Sequence, residues 1–94
     1  MSEERRARIE SELRERLAAI HVDVIDESHL HAGHVGARDG GGHFRAIVVS
    51  ARFEGRTPIQ RQRLVYEALE GAMGSDIHAL SMRTLTPAQW TRSR

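Results

Sequence analysis

Four of the chain's six histidines and five of its eight glycines fall within SHLHAGHVGARDGGGHF, residues 28–44. The four are His29, His31, His34 and His43; His21 precedes them and His78 follows in IHALS. Imidazole at this density points first to metal ligation, where its neutral nitrogen is a common donor. The 94-residue chain has no cysteine. Disulfides, Cys-ligated zinc and a thiol nucleophile are therefore excluded, and any metal must be held by histidine, by carboxylate, or by groups that another molecule brings. HLHAGH has neither the His-x-x-x-His spacing of a helical zinc site nor a carboxylate triad partner. On these letters alone the stretch reads as a solvated loop, a metal-binding loop, or half of a site that a partner completes. A connection this long inside a compact domain is uncommon and usually functional.

His78 sits in an alternating run with Leu80 and Met82, so its own pattern favours a hydrogen-bonded strand histidine over a ligand. His43 reads as structural or as an aid to the site. His21 reads as a cation closing the first helix, where it complements the dipole. Asp26 and Glu27 are adjacent on a strand and point to opposite faces, which argues against a paired-carboxylate catalytic site. No Ser-His-Asp arrangement stands out, and no enzymatic activity is expected.

All 14 cationic residues are arginine, which favours bidentate contact with phosphate or carboxylate. Against 13 acidic residues they leave a net charge of only +1, so this is no polybasic nucleic-acid carpet. Arg56, Arg61 and Arg63 crowd the start of the second helix, where a nucleic-acid-binding domain of the helix-turn-helix or KH type meets its ligand. The ordinary alternative is a solvated helix face. The turn reads Gly55-Arg56-Thr57-Pro58, and Pro58 has no amide to offer a phosphate. Binding through a few such contacts would fall steeply with salt.

The elements that must position these residues are legible from periodicity. Ile9, Leu13, Leu17 and Ile20 form a helical stripe over residues 2–19, with Ser2 as cap and Glu4, Glu10 and Glu12 each four residues before an arginine. Residues 21–27 alternate as a short strand; 43–53 are rich in β-branched and aromatic residues and read as the central strand, antiparallel to the first. TPIQ at Thr57 and TPAQ at Thr86 are capping boxes with proline at the first helical position. The helix after Thr57 turns Leu64, Val65, Ala68, Leu69 and Ala72 inward and stops near Gly74; that after Thr86 ends at Trp90. Trp90 and Tyr66 are expected in the core. IHALSMRTL between them is the third strand, and the helical crossover suggests that it runs parallel to the second. One domain over 1–94 follows, with a loop over 28–42 and a tail over 91–94. Without an export or membrane-spanning pattern, the expected setting is cytoplasmic.

The runs DESHLHAGH, GGGHFRAIVVSARFEG, RQRLVYEAL and IHALSMRTLTPAQW, in that order and spacing, closely resemble the BolA family from Arg6 to Trp90. The resemblance implies an α+β fold of the class II KH-like type, ordered α-β-β-α-β-α, with helices packed on a three-stranded mixed sheet. It also implies two activities, which do not exclude each other. The first is an adaptor that binds a monothiol glutaredoxin and bridges a [2Fe–2S] cluster with it and glutathione, in iron–sulfur trafficking or iron sensing. The second is a DNA-binding regulator of morphology and stress response, which would use the second helix. For the first, the resemblance makes His78 of the HAL motif one ligand and a loop histidine the other. Counting forward from Asp26-Glu27-Ser28 gives His31; extra residues before His43 keep His34 as the alternative. The contact surface would be the loop, the HAL strand and the C-terminal segment, and the free chain a monomer or weak homodimer. Where relatives carry Arg-His-Arg, this chain has Arg61-Gln62-Arg63, so a role resting on that histidine is lost here. A loop that binds zinc or nickel without a partner is a third reading.

Overall fold

A computed structural model describes residues 2–27, 42–70 and 77–93, and the side chains of those residues apart from 2, 42 and 77–79. The elements are α1 (Ser2–Leu17), β1 (His21–Asp26), β2 (Gly42–Val49), a 3₁₀ turn (Ala51–Phe53), α2 (Pro58–Ala68), β3 (Ile77–Leu85) and α3 (Pro87–Ser93). The order is the one periodicity gave. β2 lies between β1, to which it is antiparallel, and β3, to which it is parallel.

One sheet face carries Val22 and Val24 of β1 and Phe44, Ala46 and Val48 of β2. These pack with Ile9, Leu13 and Leu17 of α1 and with Phe53, Val65, Ala68 and Leu69 into one buried core. The α1 stripe at steps of four and the inward face of α2 are therefore as read, except that Ile20 leaves it. It is 60% exposed. α1 ends at Leu17 because Ala18 turns into the left-handed region at φ 48°, and Ala19 N–H caps the carbonyl of Arg14 at 3.2 Å. His21 is consequently not the cation of a helix end. It opens β1 and stacks its ring on Trp90, centroids 4.5 Å apart and planes 19° from parallel.

Both capping boxes form. Thr57 Oγ accepts from Gln60 N–H at 3.2 Å while the Gln60 side chain accepts from Thr57 N–H at 3.0 Å. Thr86 and Gln89 repeat the exchange at 3.2 and 2.9 Å. α2 closes at Ala68, well before Gly74, since Leu69 leaves helical geometry to bury its side chain; Ala72 and Gly74 lie outside the described residues. Tyr66 is 37% exposed on α2 rather than in the core. α3 runs three residues beyond Trp90, which places that ring in mid-helix and half-buried.

Candidate functional site

The sheet has two ends, and His43 and His78 stand at one of them. There β1 finishes, β2 begins and β3 begins. Glu27 N–H donates to the carbonyl of His43 at 2.7 Å, so the two strands stay paired up to the points where residues 28–41 depart and return. His29, His31 and His34 belong to that segment and lie outside the described residues.

β3 carries His78 to the same end. Gly42 pairs with Ile77 and His43 with Ala79, so β3 takes two steps where β2 takes one. The extra residue is His78. A register shift of this kind, a bulge or irregularity, interrupts the ladder locally and leaves the extra residue without a pairing partner on β2. The backbone thus brings His78 and both anchor points of the histidine-rich segment to one end of the sheet. Nothing in the residue letters around His78 announces the bulge.

His43, next to the bulge, is half-buried with its Nε2 buried. Arg45, two residues on and on the same face, pairs with Glu27 at 3.1 Å. Glu27 is the more buried of the pair, and the guanidinium offsets its charge next to the anchor point. Among the described residues no three His, Asp or Glu side chains form a metal-holding group. His21 is at the far end, on the row His21, Val49, Leu85.

The three arginines named for nucleic acid separate in structure. Arg61 is half-buried and turned inward: its NH1 donates to Thr84 O at 3.2 Å and to Gln89 Oε1 at 2.9 Å, its Nε to Arg56 O at 3.1 Å. Its guanidinium also lies 5.9 Å from the centre of the Phe53 ring. Arg56 is exposed and donates to the carbonyl of Arg52 at 3.0 Å; Arg63 is exposed on α2. Ser50 escaped the sequence reading. Its hydroxyl, fully buried, donates to Leu17 O at 2.6 Å and accepts from Arg52 N–H at 3.1 Å, tying α1 to the end of β2.

Residues 13–89 match the family described as BolA-like protein. The chain is 44% identical over 84 residues to BolA-like protein 1 of Homo sapiens, an alignment covering 89% of this chain and 59% of that one. It is 34% identical over 85 residues to the DNA-binding transcriptional regulator BolA of Escherichia coli strain K12, covering 90% and 78%. Among solved structures, the BolA domain of SufE1 from Arabidopsis thaliana superposes with a TM-score of 0.77 at 37% identity, covering 89% of this chain and 93% of that one. The chain therefore spans about three-fifths of the human relative's length.

Proposed function

Because the chain belongs to the BolA family, we propose that it is an adaptor that binds a monothiol glutaredoxin and shares a [2Fe–2S] cluster with it. His78 and one loop histidine, His31 or alternatively His34, are the ligands from this side; the partner's cysteine and glutathione complete the set. The observation that carries the reading is the register shift, which leaves His78 out of the ladder at the sheet end where the histidine-rich segment leaves β1 and returns to β2. The donor chemistry fits. With no cysteine in the chain, imidazole takes the place of thiolate on one iron, a substitution that raises the reduction potential. The cluster supplies one-electron redox capacity and transferable iron and sulfide.

The chain's own work is to present neutral imidazoles in a fixed frame. A protonated imidazole cannot ligate, so holding the cluster is pH-sensitive and release is favoured as pH falls. The Glu27–Arg45 pair keeps net charge low at the anchor point. No catalytic step is assigned to this chain, and the proposed setting is cytoplasmic. No helix among the described residues is long and apolar enough to cross a membrane.

The test is the visible absorption and circular dichroism spectrum of this protein mixed with a monothiol glutaredoxin, glutathione and a [2Fe–2S] source. A heteromeric spectrum distinct from glutaredoxin alone, lost in His78→Ala, is the expected result; one unchanged in that variant rules the ligand assignment out. His31→Ala against His34→Ala then names the loop ligand.

A second reading, nucleic-acid binding, is favoured by the Escherichia coli relative's name and by the exposure of Arg56 and Arg63. It predicts salt-sensitive DNA binding that Arg56→Ala with Arg63→Ala weakens, and DNA affinity unchanged in that double variant removes α2 from consideration.

A further inference from the structure

A groove of about 320 Å³ opens between α1, the 3₁₀ turn and α2, lined by Arg16, Leu17, Arg52, Leu64, Glu67 and Ala68. Its floor is apolar: Leu17 and Ala68 belong to the core, and Leu64 packs half-buried against it. The three charged side chains on its rim are exposed. None of the six residues belongs to a strand, so the groove is separate from the backbone frame that carries His78.

Two of the rim charges lack a counter-charge. Arg16 is held by Glu12 at 2.6 Å. Among the described residues, the side chains of Arg52 and Glu67 pair neither with each other nor with another group. Ser50 fixes Arg52 by accepting from its backbone N–H at 3.1 Å, which leaves the guanidinium to solvent. Glu67 stands in the last turn of α2, where the helix dipole disfavours a carboxylate and no basic residue offsets it. The volume is at the small end for ligand pockets, which suits an anchoring side chain rather than a whole cofactor.

We propose that this groove docks a segment of a partner protein. The segment sets one large apolar side chain on Leu17, Leu64 and Ala68, and flanks it with a carboxylate for Arg52 and a lysine or arginine for Glu67. Charge complementarity selects this occupant. A uniformly anionic ligand such as a nucleic-acid backbone meets Glu67 as a like charge, whereas a protein segment carries both signs around an apolar anchor. A guanidinium without a partner receives a carboxylate bidentately. Exposed ion pairs add little affinity each, so the anchor supplies most of the binding and the two charges fix its orientation. The occupant neither covers His78 nor depends on cluster ligation, so the proposal stands apart from the function proposed above.

A library of random short peptides displayed on phage and panned on the intact chain tests this, with NMR shifts locating where the selected peptides bind. The expected consensus is a large apolar residue with an acidic residue on one side and a basic one on the other, and its peptides shift Leu17, Leu64 and Ala68. Arg52→Gln weakens such a peptide roughly threefold to fivefold, and has no effect once the peptide's own acidic residue is changed to its amide. Glu67→Gln does the same through the basic residue. Both substitutions fall on exposed side chains and leave unfolding unmoved. A panning that returns no consensus overturns the proposal, as do shifts that miss the groove. Peptides with an apolar residue but no flanking charges also overturn it, since they mark apolar adhesion only. A DNA duplex that shifts these residues when no peptide does overturns it as well, and assigns the groove to nucleic acid.

Discussion

The two ends of the sheet are built on opposite plans. At the end bearing His21, Val49 and Leu85, side chains finish what the backbone leaves open: Ser50 caps α1, Arg61 joins α2 to β3 and α3, and Trp90 lies on His21. At the other end the conspicuous feature is an irregularity of the backbone itself, at His78 of β3, next to the start of β2 where the histidine-rich segment returns. Polar side chains at the first end are spent on structure. At the second, Glu27 and Arg45 pair with each other, and in the function proposed above His78 and a loop histidine are held for a partner. Stability and ligation are thereby separated by the length of a strand, and substitutions at the two ends should separate in the same way.

The sharpest break in that contrast comes from Ser50→Ala. It strands the buried carbonyl of Leu17 and should cost about 1–3 kcal/mol in denaturant unfolding, while the heteromeric cluster spectrum of the folded protein stays unchanged. His78→Ala gives the mirror image, with the spectrum lost and unfolding nearly unmoved. Arg61→Ala comes next, at about 1–2 kcal/mol, since Thr84 O and Gln89 Oε1 lose a charged donor at a half-buried position. Arg61→Lys restores the charge but not the fork and should recover only part of the loss. A cost indistinguishable from that of exposed Arg63→Ala would show that the clamp is idle. A smaller effect of opposite sign is expected from Ala18→Gly: the left-handed φ of 48° strains an L-residue, and relief should add about 0.5–1 kcal/mol to thermal stability. The smallest is electrostatic. The hydrogen bond and charge of Arg6 hold the exposed Glu3 carboxyl below its ordinary 4.5. Because the folded value is the lower one, its slight contribution is complete above 4.5 and fades as pH falls through the folded value. NMR titration of Glu3 should show a depressed midpoint that Arg6→Gln returns to the ordinary value.

What the letters disclosed, and what they withheld, divides along a physical line. Local signals carried through: Thr57 and Thr86 cap their helices with Gln60 and Gln89, and the spacing of Ile9, Leu13 and Leu17 gave the buried face of α1. Tertiary contacts did not. Ile20 continues the helical spacing but follows a left-handed residue, and a period cannot report where a backbone turns. His21 has an imidazole suited to a helix end, yet its partner is a ring 69 residues away in sequence. Arg61 looks like one more surface cation beside Arg63, and only the placement of Gln89 and Thr84 distinguishes them. At the candidate site, the resemblance pointed to His78, while its release from the ladder emerges only from the offset of two pairings far apart in the chain.

That offset bears on how such a site changes over time. The pairings Gly42 with Ile77 and His43 with Ala79 are complete without the residue between them, so the ladder places little demand on what occupies position 78. A position exempt from pairing is an interchangeable socket. In the function proposed above, His78→Cys would offer thiolate in place of imidazole with the flanking register kept, shifting the potential of the proposed cluster downward. If the proposed site is the chain's function, selection can retune its redox character one residue at a time, without renegotiating the architecture around it.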